Sequence, residues 1–255
     1  QKAPAILKIA LHTIEKSGLK VEHGPHKTGN YLFRPYVELS HLNLTSQNVS
    51  LPSLTINTSD PTRFMLNWWK GQSLTITNKG TAAIAIKYPH FQYLLTPQWL
   101  TVTVDGLDAG PQLRNMVTDK LHITFLEQNT QRDYDLTNVS IKKMDKSNKN
   151  SELNLVFSDF SKNEKDNQST TIIDQATLVL DIPEVIKHPF QANWFIILAQ
   201  TQKSIVISNL SLAWQKAVFN GHGVIKVDAQ QMPHIILQTS MADFEAFLAN
   251  AAFRI

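Results

Sequence analysis

The chain of 255 residues is 42% hydrophobic and 18% charged, a balance typical of a folded globular protein. Its net charge of +3 is too small to indicate a nucleic-acid partner, so none is expected. The chain has no cysteine, which excludes disulfide bonds, thiolate metal sites and a cysteine nucleophile.

The first predicted element is a helix over residues 5–17, where apolar residues recur at helical spacing and Gly18 follows in the C-cap position. Beyond residue 20 the spacing changes to two-residue alternation, as in Leu42-Asn43-Leu44-Thr45. Successive side chains of a strand point to opposite faces, so each such segment has one apolar face and one face of Ser, Thr and Asn. This pattern is typical of antiparallel sheets with one solvated side.

Alternating segments recur along the chain and are predicted to be strands. They are Val37–Thr45, Val49–Ile56, Phe64–Trp68, Leu74–Thr77, Ala82–Tyr88, Leu100–Val104, Leu121–Leu126, Leu136–Ile141, Leu153–Phe157, Ala176–Ile182, Trp194–Leu198, Ile205–Trp214, Gly223–Asp228 and His234–Thr239. Asn78-Lys79-Gly80 predicts a hairpin turn, and Gly221-His222-Gly223 predicts a tight turn that opens the following strand.

Other segments interrupt the strand pattern. Residues 111–119 are predicted to form a short helix or an irregular crossover, and the polar residues 142–152 and 161–170 to form long loops. The last element is an amphipathic helix over residues 243–253, with Asp243 as its N-cap. Its apolar stripe is expected to cap one mouth of the sheet.

Together these elements predict a mainly β fold. We expect a large curved antiparallel sheet, shaped like a groove, a U or a barrel, with short N-terminal and C-terminal helices. A single β-rich domain over residues 1–255 is expected, with a subdivision near 106–120. No run of about 18 apolar residues occurs, so no segment is predicted to cross a membrane as a helix.

No sequence motif indicates catalysis, a metal site or a cofactor. The nine histidines are scattered, and neither a nucleophile elbow nor a glycine-rich phosphate loop occurs. The chain is therefore expected not to be an enzyme, and no cofactor is predicted. The enzyme alternative needs residues from distant loops to converge, for example His122 with Asp133 or Asp135.

The densest group of aromatic residues begins at Trp68-Trp69 and continues with Tyr88, Phe91, Tyr93 and Trp99. A carbohydrate platform or an interfacial belt is one interpretation, because aromatic rings suit both. Ordinary packing is the favoured interpretation, since adjacent residues of a strand face opposite sides of the sheet.

Between a starting helix followed by Gly18-Leu19-Lys20-Val21-Glu22 and an apolar terminal helix, two groups of segments resemble a known family. The first is Leu32-Phe33-Arg34-Pro35-Tyr36-Val37-Glu38-Leu39-Ser40 with Leu42-Asn43-Leu44, and the second is Ser208-Asn209-Leu210-Ser211-Leu212 with Gly221-His222-Gly223-Val224-Ile225-Lys226-Val227-Asp228. In this order they resemble bacterial envelope proteins of the AsmA-like type, most closely a related alphaproteobacterial periplasmic family of unknown function. The resemblance implies a curved sheet folded as a groove that handles lipids in the periplasm. It also implies an inner-membrane anchor in a segment that this chain does not contain.

The excess of one-sided strands over helices leads to the same functional hypothesis, because short helices cannot cover so large an apolar face. We expect non-enzymatic binding or transfer of a lipid or other apolar small molecule, with the inner-membrane surface as a further partner. The residues expected to line the groove are Leu54, Ile56, Leu74, Ile76, Ile84, Ile86, Val102 and Val104. The alternative is a β-sandwich carbohydrate-binding or adhesive module, with two sheets packed face to face.

Overall fold

In a computed structural model, strands make up about 80% of the residues that the structure describes. The residues that the structure describes are 3–16, 19–31, 34–46, 53–67, 73–88, 90–105, 112–127, 130–146, 150–163, 169–186, 194–214, 217–229 and 232–243. Within them, fifteen strands form one antiparallel sheet that is not closed on itself, accompanied by two short helices. The predicted fold class, a mainly β chain built on a large antiparallel sheet, is confirmed.

Both helices are short: α1 spans Ala3–Lys16 and α2 spans Trp194–Thr201. The strands are β1 Leu19–His23, β2 His26–Tyr31, β3 Arg34–Leu39, β4 Leu42–Ser46, β5 Ser53–Thr58, β6 Thr62–Asn67, β7 Ser73–Lys87, β8 Phe91–Asp105, β9 Gln112–Glu127, β10 Thr130–Asp145, β11 Ser151–Asn163, β12 Ser169–Ile182, β13 Ile205–Trp214, β14 Ala217–Val227 and β15 Pro233–Ala242. No helix in these ranges is long and apolar enough to cross a membrane.

The strand order runs β1-β4-β5-β7 and then follows the chain from β8 to β15, while β2, β3 and β6 form a branch that joins at β7. β5 and β6 share one edge of β7, because β6 pairs with its first half and β5 with its second half. Residues 59–61 connect these two short strands.

The predicted hairpin at Asn78-Lys79-Gly80 is therefore wrong, since β7 continues through it. The register with β8 shifts between Asn78 and Thr81, so these residues form a bulge in place of a turn. The buried Asn78 side chain donates a hydrogen bond to the Asp60 carbonyl oxygen at 3.1 Å. The bulge is thus tied to the connection between β5 and β6.

Three other predicted elements are corrected. Trp194–Leu198 lies in α2, because a short apolar run has no period that separates a buried helix from a buried strand. Residues 112–119 belong to β9, not to a helix or an irregular crossover. Gly221-His222-Gly223 lies inside β14, where Gly223 allows close approach of β15: a Cβ there would stand 2.0 Å from the Ile236 carbonyl oxygen.

Several predicted boundaries also change. Val37–Thr45 divides into β3 and β4 around Ser40 and His41. The predicted loops over 142–152 and 161–170 are partly strand, because β10, β11 and β12 extend into them. Of the terminal helix only Asp243 is described, with φ 55°, and the rest of that prediction lies outside the described residues, as do Gly18, Trp68 and Trp69.

The chain divides into two compact units, Gln1–Val139 with Lys162–Gln168, and Ser140–Ser161 with Ser169–Ile255. In the first unit, α1 packs against β1, β3 and β6, and its buried residues Ile6, Ala10 and Ile14 meet Val37 and Phe64. Burying a side chain such as Ile6 contributes about 1.5–3 kcal/mol.

In the second unit, α2 packs against β14. The core there includes the buried residues Leu198, Ile205 and Val227. Each helix therefore covers apolar strand residues of its own unit.

Candidate ligand-binding cavities

The sheet register brings the eight predicted groove residues together as four cross-strand pairs. The pairs are Leu54 with Ile86, Ile56 with Ile84, Leu74 with Val104, and Ile76 with Val102. Directly opposed residues of an antiparallel ladder project from the same face, so both members of each pair lie on one face. The alternation in the sequence indicated the faces, but it did not indicate which residues would pair.

Helix α1 covers part of this set. Leu74 is fully buried in the core beneath α1, and Ile56, Ile76 and Val104 pack against the same core. The helix thus occupies the place where the sequence suggested a ligand, and Leu74 has no exposed surface to offer one. The buried Leu74 side chain contributes to the stability of the first unit.

The remaining pair, Leu54 with Ile86, extends into a half-buried apolar surface on β5, β7, β8 and β9. Ile86 is opposite Tyr93, which in turn is opposite Phe125. The Tyr93 and Phe125 ring centroids are 5.1 Å apart. Tyr88 stacks on Phe91 with centroids 4.5 Å apart, so part of the aromatic group seen in the sequence packs together.

Trp99 behaves differently from the other aromatic residues. It has φ 56°, which non-glycine residues rarely adopt, and it is 58% exposed. It lies opposite the bulge of β7, where the register shifts. Its exposure therefore accompanies a local irregularity of the strand.

An apolar cavity of about 420 Å³ lies in the second unit. Its lining residues are Ile172, Ile173, Leu212, Trp214, Ala217, Phe219 and Met241. None of them is charged, and the indole N–H of Trp214 is the one polar side-chain group among them. Such a cavity suits an apolar ligand, because a polar group inside it would lose hydrogen bonds to water.

Strand pairing explains why these side chains meet. Phe219 of β14 is opposite both Leu212 of β13 and Met241 of β15, and Trp214 is opposite Ala217. The sequence pattern does not indicate this site, because Ala217 and Phe219 lie between predicted strands. The apolar pair Ile172-Ile173 could have indicated that β12 begins earlier than predicted.

A second cavity, of about 580 Å³, lies in the first unit and is polar. It is lined by Glu38, Asp60, Pro61, Arg63, Met65, Thr77, Lys79 and Gly80. Arg63 is already engaged, since its Nη2 lies 2.9 Å from Glu38 Oε2 and its guanidinium carbon 4.2 Å from the centre of the Tyr36 ring. The two cationic and two anionic side chains balance, so the lining carries no net charge that would select an anion.

The structure also brings His122, Asp133 and Asp135 together, the convergence that the enzyme alternative requires. His122 Nδ1 lies 2.7 Å from Asp135 Oδ1, and its Nε2 lies 3.2 Å from Thr124 Oγ1. Hydroxyl, imidazole and carboxylate thus follow the order of a nucleophile–base–acid triad.

Other contacts in this cluster argue against a nucleophile. Thr124 Oγ1 donates its hydrogen bond to Asp133 Oδ1 at 2.7 Å, so its proton is directed away from His122. Thr124 is only 7% exposed, and neither cavity is lined by these residues. Burial raises the pKa of Asp133, but hydrogen bonds from Thr124 and Gln131 and the neighbouring His122 outweigh it, so this pKa lies below its usual value. The cluster therefore links β9 to β10 through an ionised carboxylate.

A further ionic network lies in the second unit. Lys146 Nζ contacts Asp181 and lies 3.1 Å from Glu152 Oε2, while Ser208 donates a hydrogen bond to Asp181 at 3.0 Å. The hydrogen bond from Lys146 lowers the pKa of Asp181, and that of Lys146 is raised in turn. These contacts connect segments that are distant in the chain. Lys146, Glu152 and Asp181 are thus paired with one another, which explains their clustering as a structural contact between these segments.

Within the described ranges, no three His, Asp or Glu side chains are arranged to hold a metal ion. Comparisons of the chain with protein-family models, with curated proteins and with solved structures found no match. The geometry of the two cavities is thus the basis for a functional proposal.

Proposed function

We propose that this protein binds a lipid or another apolar molecule without catalysing a reaction on it. The observation that carries the proposal is the uncharged cavity of about 420 Å³ in the second unit. This volume falls within the range of about 300–1,000 Å³ that is usual for small-molecule sites.

The driving force for binding would be burial of apolar surface. Apolar area removed from water contributes about 25 cal/mol per Å². Leu212, Phe219 and Met241 offer aliphatic, aromatic and thioether surfaces, and the flexible Met241 can adapt to irregular ligand shapes. A charged headgroup would remain outside, because no lining residue can neutralise it.

The half-buried surface around Ile84, Ile86 and Leu54 is a secondary candidate for apolar contact in the first unit. A periplasmic location, an inner-membrane anchor and transfer of the lipid belong to this proposal through the resemblance to AsmA-like proteins. The carbohydrate-binding alternative has less support, since it requires two sheets packed face to face and the described strands form one sheet.

Native mass spectrometry of the purified protein, followed by organic extraction, would test the proposal. The protein is expected to retain a lipid or to take up a fluorescent fatty acid. Ala217→Phe should abolish uptake, because the added ring fills the cavity. Ala242→Phe is the matched control, since Ala242 is exposed on β15 beside Met241 and does not line the cavity.

Two results would reject the site. One is a wild-type protein that neither carries nor takes up an apolar ligand. The other is an Ala217→Phe variant that folds and binds as well as the Ala242→Phe control, which would place binding elsewhere.

A further inference from the structure

Strand β15 carries the largest group of exposed apolar side chains in the described part of the chain. Ile235 is 61% exposed and Ile236 is 59% exposed, and Leu237 in the same strand and Met232 just before it are exposed as well. β15 stands at the end of the strand order and pairs, among the described strands, with β14 alone. Its other edge therefore has backbone groups available for a further strand.

This edge lacks the features that usually prevent strand addition. Native edge strands are often protected by charged residues, bulges or internal prolines. β15 contains no Asp, Glu, Lys or Arg, and its single proline is its first residue, Pro233. Its register with β14 is continuous over all ten residues, whereas β13 and β14 pair with a shift between Ile207 and Leu210.

We propose that β15 pairs antiparallel with β15 of a second copy of this chain, forming a two-fold symmetric dimer through a continuous sheet. The absence of charge on β15 favours a second copy, because two identical edges then meet without like-charge repulsion. A partner recognised by charge would find only His234 in the strand, and that residue already lies 2.8 Å from Asp228.

Side-chain alternation restricts the register of this pairing. Ile235 and Leu237 project from one face of the sheet and Ile236 from the other. Opposed residues must project from the same face, so each of these residues can be opposite only a residue of the same face in the second copy. With the two-fold axis at Ile236, this residue is opposite its own copy, and Ile235 is opposite Leu237 of the second copy. This register places the three exposed apolar residues at positions 235–237 against apolar partners.

Solution mass measured by light scattering over a dilution series would test the dimer. The wild-type chain should show twice its 28.8 kDa mass at high concentration. Ile236→Lys should remain at the monomer mass with an unchanged circular dichroism spectrum, because it places two positive charges at the axis. Ile196→Lys is the control, since Ile196 is an exposed apolar residue on α2, outside this edge.

A single thiol can then test the register, since the chain has no native cysteine. Ile236→Cys should form a dimer disulfide under mild oxidation. Gln238→Cys should not, because residue 238 would lie about four residues, or roughly 13 Å, from its copy.

Three results would overturn the proposal: a wild-type chain that is monomeric at every concentration, an Ile236→Lys variant that still dimerises, or equal cross-linking at 236 and 238. A monomeric wild type would mean that a second copy does not pair with this edge.

Discussion

Gly80 lies so close to Asp60 that a Cβ at position 80 would stand 1.9 Å from Asp60 Oδ2. The same carboxylate oxygen accepts a hydrogen bond from the Thr81 backbone N–H at 3.0 Å. The β7 bulge thus depends on a residue without a side chain, since any Cβ must displace the carboxylate that binds the next residue.

Gly80→Ala should therefore lower the free energy of unfolding by about 1–3 kcal/mol, because Asp60 must move and its hydrogen bond to Thr81 is lost. Urea unfolding of Gly80→Ala, Asp60→Ala and the double variant would measure this. The two effects should be less than additive, because Asp60→Ala removes the steric conflict. Fully additive effects would show that the conflict is relieved elsewhere.

Leu74→Ala should lower the free energy of unfolding by about 2–5 kcal/mol, because it leaves a cavity under α1. Ile86→Ala, at a half-buried position of the same strand, should cost less. Chemical denaturation would compare them, alongside binding of a fluorescent fatty acid. If Leu74→Ala folded normally but bound less ligand, Leu74 would line a ligand site as the sequence first suggested.

Asp133→Asn should reduce the pH dependence of stability in acid. The pKa of Asp133 lies below its ordinary value of 3.8, so its carboxylate stabilises the fold above that value. This contribution is lost as the pH falls through the lower folded pKa. Urea unfolding from neutral pH down to about pH 2 should show a shallower acid limb for the variant.

Thr124→Val tests the cause of that shift, since it removes a hydrogen-bond donor to Asp133 while keeping a side chain of similar shape. The folded pKa of Asp133 should then move toward its ordinary value, so the acid-induced loss of stability should be smaller than in the wild type and should be complete at a higher pH. Identical acid limbs for all three proteins would mean that Asp133 does not contribute to acid stability.

Phe247→Asp tests the terminal helix predicted from the sequence, which lies outside the described residues. If Phe247 packs on the sheet, the change should cost about 3 kcal/mol or more, because an aromatic side chain is lost and a charge is buried. Differential scanning calorimetry would measure this. Unchanged thermal unfolding with weaker vesicle binding would instead indicate a membrane-surface helix.

The sequence was a good guide where one physical rule determines the structure. Alternation predicted most strands and placed Leu54 and Ile56 on a common face, because the period of a strand is fixed at two. It was a poor guide where the outcome depends on distant contacts. The glycines at 80 and 223 suggested turns, yet Gly80 leaves room for the Asp60 side chain and Gly223 for the backbone of β15 at Ile236.

The candidate cavity was less predictable than the fold. It depends on Phe219 meeting Leu212 and Met241, and pairings across three strands leave no local signal. The convergence of His122 with Asp133 and Asp135 was anticipated as a condition for catalysis. Only the geometry revealed that Thr124 donates its hydroxyl proton to Asp133.

The shared edge of β7 also has a consequence for the order of folding. β7 and β8 are neighbours in the chain and pair over almost their whole length, so they can associate with little loss of chain entropy. β5 and β6 are each six residues long, and neither covers the whole edge. The β7–β8 pair can therefore serve as the template onto which both short strands assemble. The amide protons of β5 and β6 should then exchange with solvent before those of β7 and β8.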